Sequence, residues 1–261
     1  MKSPFILVAI PFKNETKLLV DLVYSILKSY ISGFTYYMVC FDDGSSNEEL
    51  DFLYNSIPKI VTIVKGDNLG YTQRAHDIIE YAKNQPNVDY LLLLNSDVKF
   101  ETGTFFSLVK RVLSNPNIAA VGGKILEYDS NRILHTGTRL ENEVIIDPYC
   151  GLDRNDSKTN FAERRLWVNG CATLYNLDIL RKENLNFDLD FCPSYFEEAD
   201  LMTKLNLLGY SVMYEPRAII HHLMNASHNK EREKYEKVFW ENWDKYLTRW
   251  KPKFNNKQLQ F

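Results

Sequence analysis

Tyr90-Leu91-Leu92-Leu93-Leu94-Asn95-Ser96-Asp97 carries the decisive pattern of this sequence. A short solid apolar run, cut off by three polar residues, reads as a strand buried on both faces. Similar runs precede it at Phe5–Ile10, 36–41 and 60–65. Between them the apolar residues change to helical spacing. Leu18, Leu19, Leu22, Val23, Ile26 and Leu27 mark one helix over Thr16–Ser29. Ala75, Ile78, Ile79 and Ala82 mark another over 71–84, and 48–55 reads as a short one. Apolar strands alternating with amphipathic helices predict an α/β fold with a mostly parallel sheet and helices on both faces. Such sheets bind ligands at the carboxyl ends of their strands.

Each strand end is polar. The first gives Pro11-Phe12-Lys13-Asn14-Glu15, the second Asp42-Asp43-Gly44-Ser45-Ser46, the third Gly66-Asp67-Asn68-Leu69-Gly70 and the fourth Asn95-Ser96-Asp97. Asp97, held at a rigid strand end, suits either a hard divalent cation or a cap on the next turn. Asp42 and Asp43 suit a nucleobase N–H and ribose hydroxyls, the acidic pocket of a phospho-receiver, or plain turn chemistry. Further on, Glu197, Glu198 and Asp200 form the densest acidic cluster. Glu197 and Asp200 share a helix face, whereas Glu198 lies on another. One of them reads as a general base, or the group simply complements a helix N-terminus. His221-His222 closes an apolar strand. Neighbouring strand residues face opposite sides, so one of the two can enter the cleft as a metal ligand.

The second half is less regular. The pattern predicts a helix over 102–113, a strand over 119–126, a strand over 167–175 and a short helix over 177–184. It then predicts a helix over 196–208 and two short strands at 211–214 and 218–220. Residues 128–163 are polar and aperiodic, either a loop or a β-rich excursion over the site. From 230 to 250 the sequence reads as one amphipathic helix with Tyr235, Phe239, Trp243, Tyr246 and Trp250 along a face. That face packs on the domain, pairs two copies of the chain, or lies on a membrane surface. Eight basic against five acidic residues over 230–253 give only a mild bias toward the last.

Composition limits the function classes. With 45% hydrophobic and 25% charged residues among 261, the chain has enough apolar material for a large core. A net charge of −3 makes nucleic acid an unpromising partner. No apolar run approaches the about 20 residues that span a bilayer, and the first residues lack a signal-peptide pattern. Cys40, Cys150, Cys171 and Cys192 show no C-x-x-C spacing, so a zinc site is not expected. Cys40 and Cys171 read as buried free thiols of a reducing compartment. These features predict a cytoplasmic protein, with peripheral contact at the inner face of a membrane as an alternative.

Taken in order, the motifs resemble the inverting family 2 glycosyltransferases of GT-A fold, especially their rhamnosyltransferase-like bacterial branch. Val8-Ala9-Ile10-Pro11-Phe12-Lys13-Asn14 is similar to the family's first nucleotide-binding strand, and Asp42-Asp43-Gly44-Ser45 to its DDGS element. Asn68-Leu69-Gly70-Tyr71 resembles its N-x-G-[FY] turn. Asn95-Ser96-Asp97 resembles its DXD-type motif with Asn in the first place. Trp167-Val168-Asn169-Gly170-Cys171 is similar to its acceptor-side strand, and Phe196-Glu197-Glu198-Ala199-Asp200-Leu201 to Y-E-D-x-D-L. Gly209-Tyr210, Pro216, His221-His222 and Ser227 follow its last motif. The resemblance covers about residues 5–250. It implies a single domain over 1–261, with a Rossmann-like nucleotide-sugar half at 1–100, an acceptor half at 101–228 and a C-terminal helix and tail at 229–261.

The resemblance also implies a reaction. A UDP- or dTDP-linked sugar would bind Pro11, Phe12, Asn14, Glu15, Asp42, Asp43, Asn68, Gly70, Asn95 and Ser96. Arg74 would reach a phosphate or remain a surface charge. Mn2+ or Mg2+ would bridge Asp97 and the diphosphate, with His222, or else His221, as a further contact. The family's base position falls on Glu198, where Asp is usual, so Glu197 and Asp200 stay open as alternatives. Trp167, Asn169 and Gly170 would face a glycan, glycolipid or glycoprotein acceptor, Trp167 either stacking on a sugar or filling core. Residues 128–163 would govern acceptor choice. A nucleotidyltransferase and a non-catalytic binding protein are the rival readings.

Overall fold

The structure is a computed structural model that describes residues 3–29, 32–223 and 232–260. Its first half follows the predicted alternation: β1 (Phe5–Phe12), α1 (Thr16–Ser29), β2 (Thr35–Asp42), α2 (Asn47–Ser56), β3 (Thr62–Val64), α3 (Tyr71–Lys83) and β4 (Tyr90–Leu94). The second half contains β5 (Val98–Phe100), α4 (Thr104–Leu113), β6 (Ile118–Glu127), β7 (Ile133–His135), β8 (Arg139–Glu141), β9 (Val144–Ile146) and β10 (Glu163–Arg165). It ends with β11 (Ala172–Asn176), α5 (Leu177–Lys182), α6 (Glu197–Leu207), β12 (Ser211–His222) and α7 (Arg232–Trp250).

One large sheet runs β10-β12-β6-β11-β4-β1-β2-β3, with β5 added to β12 and β7 to β6. Strands β3, β2, β1 and β4 are parallel, and so are β6 and β12. Strand β11 runs against both of its neighbours, β4 and β6. The alternation along β1 shows why both faces must be covered. Ile6, Val8 and Ile10 pack with Leu19, Leu22 and Ile26 of α1 and with α4, whereas Leu7 and Ala9 pack with Ala75, Ile78 and Ala82 of α3. The result is an α/β/α sandwich, the arrangement expected of strands with no polar face. Cys40 and Cys171 are buried free thiols, as expected, and Cys150 and Cys192 are free and exposed. No described helix is long and apolar enough to cross a membrane.

Three elements differ from the pattern reading. Strand β11 starts at Ala172 rather than at Trp167, because Asn169 bends the preceding segment. Its Oδ1 accepts the Cys171 N–H at 2.9 Å, and its carbonyl accepts the Thr173 hydroxyl at 3.1 Å. The two short strands near 211–220 are a single strand, β12, with a register irregularity between Glu215 and Ile219. Pro216 has no N–H to give the ladder, and Glu215 fastens the bulge by accepting the Arg217 N–H at 3.1 Å. Strand β5, three residues long, escaped the pattern altogether. Residues 128–163 form a β-rich excursion carrying β7, β8 and β9. Buried Lys124 ties it to β6 by donating to the Arg154 carbonyl at 2.7 Å and the Thr159 hydroxyl at 2.8 Å.

Helix α7 packs on the domain. Tyr246 and Trp250 are buried in the core, whereas Phe239 and Trp240 are exposed. The predicted start of this helix at Lys230, like Ser227, lies outside the described residues. Its end is locked to α6 through Asp200, which is fully buried. The Asp200 carboxylate accepts from Arg249 at 2.8 Å and from the Trp250 indole at 2.9 Å, and it pairs with Lys204 at 2.7 Å. Removing one partner of a buried ion pair strands the others. Asp200→Ala is therefore expected to cost about 3–5 kcal/mol in chemical denaturation. A loss below 1 kcal/mol would show that the lock contributes little.

Candidate active site

The end of β4 and the end of β12 meet through strand pairing. After Leu94, the Asn95 N–H donates to the Cys171 carbonyl at 2.8 Å, just before β11 begins. Three residues later β5 pairs antiparallel with β12, with Val98 opposite His222. The Leu223 N–H donates to the Asp97 carbonyl at 3.1 Å. This register sets the Asp97 carboxylate 3.3 Å from His222 Nε2, with side-chain exposures of 10% and 12%. Burial disfavours the imidazolium, but Cys171 and Asp97 beside the ring outweigh it and raise the His222 pKa to about 10. Asn95 Oδ1 is buried without a partner, and Ser96 is half-buried beside it.

His221 points the other way, as strand alternation requires. Its Nε2 lies 2.9 Å from Glu101, whose carboxylate is gripped by Arg154 at 2.6 and 2.7 Å. Of the two histidines, only His222 shares a face with Asp97. One carboxylate and one imidazole at a strand-end cleft fit a hard divalent cation that takes its remaining ligands from water and a diphosphate. Among the described residues no group of three His, Cys, Asp or Glu stands ready to hold a metal.

The acidic cluster separates into three environments. Asp200 sits in the α7 lock, with its carboxylate already engaged. Glu197 is 3% exposed and accepts the Thr72 hydroxyl at 3.0 Å in the interior. Glu198 turns toward the strand ends. Its Oε1 accepts the Gly170 N–H at 3.3 Å, and its Oε2 is buried without a partner. A Cβ at Gly170 would come within 3.1 Å of the Glu198 carboxyl group, a tight approach that glycine avoids. Burial raises the pKa of both glutamates, and the Glu198 charge raises that of Glu197 further. Gly170 is followed by Cys171, which touches His222 and accepts from Asn95. A short run of backbone therefore joins Glu198 to the Asp97–His222 pair. The sequence marks Cys171 only as a buried free thiol, and the pairing across the sheet reveals this position.

The loops after β1, β2 and β3 are knit together by their own polar side chains. Asp42 accepts the Ser45 N–H at 2.9 Å. Ser45 in turn accepts the Asn14 N–H at 2.7 Å, and Asn14 Oδ1 accepts the Ser46 N–H at 3.0 Å. Asn14 and Glu15 both adopt positive φ, 56° and 50°. Asp43 accepts the Leu69 and Gly70 N–H groups at 2.9 and 3.1 Å and pairs with Arg74 at 3.3 Å. Arg74 also donates to the Asp67 carbonyl at 2.6 Å. Asp43 and Arg74 thus shape the Asn68–Gly70 turn. Pro11 and Phe12 are buried, and Phe12 belongs to the core on the α1 side. Trp167 is also core, edge-on to Tyr246 with ring centroids 5.3 Å apart.

Residues 7–171 match the family profile described as glycosyl transferase family 2. A sequence search of curated proteins gives no significant match. Among solved structures, the chain superposes on GalNAc-T7 with UDP, GalNAc and Mn2+ at a TM-score of 0.65 and 17% identity. It covers 85% of this chain and 44% of that one. It superposes equally, at 0.65 and 13% identity, on the mannosyltransferase PcManGT from Pyrobaculum calidifontis in complex with GDP-Man and Mn2+. That match covers 95% of this chain and 65% of the other. The chain therefore spans less than two thirds of either neighbour, and at these identities the likeness speaks for the fold, which is GT-A. With the profile covering well over half of its length, the chain belongs to glycosyl transferase family 2.

Proposed function

We propose that the protein transfers a sugar from a nucleoside-diphosphate donor to a hydroxyl of a glycan, glycolipid or glycoprotein, with inversion at the anomeric carbon. The observation that carries this reading is the junction of Asp97–His222 with Glu198 through Gly170-Cys171 at the strand ends. It brings a carboxylate–imidazole pair suited to a divalent cation and a carboxyl group of raised pKa to one rim.

Asp97 and His222 would hold Mn2+ or Mg2+. When bound, the cation supplies Lewis-acid neutralisation of charge on the diphosphate. Asp42 and Pro11 lie on the strand ends proposed for the nucleobase, and the unpartnered Asn95 Oδ1 is suited to a ribose hydroxyl. Asp43 and Arg74 act by holding the Asn68–Gly70 backbone at the nucleotide. Glu198 takes the proton of the acceptor hydroxyl. That oxygen attacks the anomeric carbon from the face opposite the diphosphate, whose C–O bond breaks with the electron pair leaving on the phosphate. Glu197 shares the base motif but stays in the interior, where it supports the start of α6. Uridine or deoxythymidine diphosphate is the proposed donor nucleotide. A nucleotidyltransferase is disfavoured because the loop after β1 carries Lys13-Asn14-Glu15 in place of a glycine-rich basic loop.

Thermal unfolding against a nucleoside-diphosphate panel with Mn2+ tests donor binding. At 100 times its Kd, the right nucleotide stabilises the wild type by about 2.7 kcal/mol. Asp97→Ala is expected to lose this gain, as is the wild type with chelator; an unchanged gain would contradict the metal assignment. Glu198→Gln should keep nucleotide binding and lose at least about 100-fold in turnover. A base must be ionised, so turnover falls as pH drops through the raised Glu198 pKa. The acidic limb of the wild-type rate profile should therefore lie above the ordinary Glu value of about 4.3; a limb at that value would show that Glu198 is not the titrating base. Glu197→Gln should gain stability. The folded state binds this proton more tightly than the unfolded chain, which favours folding at low pH and is lost as pH rises above the unfolded value. Denaturation midpoints of Glu197→Gln and wild type should therefore converge near pH 4 and diverge toward neutrality. Parallel midpoints would contradict the raised pKa.

A further inference from the structure

Helix α6 is entered through an unusual turn. Tyr195 and Phe196, just before Glu197 and Glu198, both adopt left-handed φ, 77° and 72°. Neither is glycine, and two such residues in succession persist only when their surroundings force them. One grip on this turn comes from α7. Asn242 is 3% exposed, and its Nδ2 donates to the carbonyls of Phe191 and Ser194, each at 2.8 Å, and of Tyr195 at 3.3 Å. Its Oδ1 accepts from Lys245 at 3.0 Å, and Lys245 also donates to the Asp190 carbonyl. The amide can therefore sit only one way round, with its donors on the turn. Phe196 packs against Phe239, Trp243 and Tyr246 of the same helix.

We infer that Asn242 is a positioning residue for Glu198. It fixes the strained turn that sets where α6 begins, and thereby where the Glu198 carboxylate stands against Gly170. The inference rests on the proposed role of Glu198 as base. No other described side chain bonds three carbonyls of this turn. The turn is also gripped from α3, where the Thr72 N–H donates to the Pro193 carbonyl at 3.0 Å. That bond precedes the two left-handed residues, whereas Asn242 bonds the carbonyl of one of them, Tyr195.

The experiment compares wild type, Asn242→Ala, Glu198→Gln and Tyr246→Phe in steady-state transfer, with Tm measured for each. Tyr246→Phe, also in α7, deletes a buried hydroxyl pair with Thr203 of α6 at 2.7 Å, keeps the ring, and serves as the stability control. A displacement of about 1 Å at a reacting group costs up to about 100-fold. Asn242→Ala should therefore lower kcat tenfold to about a hundredfold, leave the donor KM unchanged and shift the acidic limb of the rate profile. Tyr246→Phe should lose Tm without this kcat loss. Should Asn242→Ala fail to fold, Lys245→Met frees the oxygen side of the amide and should show the same split with a smaller loss. Wild-type kcat in Asn242→Ala alongside an inactive Glu198→Gln would overturn the positioning role and leave the base standing. An equal kcat loss in Tyr246→Phe would overturn it by showing a general effect of stability. An active Glu198→Gln would remove the base, and the inference with it.

Discussion

The hydrogen bond from Asn95 N–H to the Cys171 carbonyl carries much of this architecture. It closes the antiparallel pairing of β11 with β4, which wedges a reversed strand between two parallel sets. Without that reversal, Gly170 and Cys171 would fall at the far end of the sheet, away from Asp97. With it, the start of β11 sits beside the end of β4. The pairing of β5 with β12 then brings His222 to the same place. The functional cluster is thus set by sheet register, and a register slip of one residue would turn each of these side chains to the opposite face.

Carboxylates around this rim divide into those spent on the protein and those left for chemistry. Asp43 is held by two backbone N–H groups and Arg74, and Asp200 by ion pairs with Arg249 and Lys204 and a hydrogen bond from Trp250. Both are buried charges whose partners make the fold specific. Asp97 and Glu198 are different. Among the described residues the Asp97 carboxylate pairs with His222, and Glu198 keeps one buried oxygen unpartnered. Groups left incompletely satisfied in an otherwise well-bonded interior are the ones with capacity for a ligand. The extra methylene of Glu198, relative to the usual Asp of the motif, is accommodated because Gly170 leaves room for it.

The first half of the fold was legible because its strands and helices announce themselves locally. Solid apolar runs, helical spacing and a polar residue after each strand suffice for β1 to β4 and their helices. What escaped depends on partners distant in sequence. The bend at Asn169 comes from a side chain bonding its neighbours. The union of 211–214 with 218–220 into β12 is decided by β6. The open choice among Glu197, Glu198 and Asp200 narrows only when Thr72, Gly170 and Arg249 arrive from elsewhere in the chain. Likewise, Trp167 is core because Tyr246 of α7 lies against it. A motif in sequence shows which residue types cluster, but their division of labour is decided by contacts across the fold.

The most direct measurement is a crystal structure of the protein with uridine diphosphate and Mn2+, with anomalous data collected at the manganese edge. The account predicts one strong anomalous peak bound by Asp97 and His222, with the diphosphate on it and the uracil over the ends of β1 and β2. A nucleotide bound without manganese at that pair, or manganese held by other residues, would contradict it.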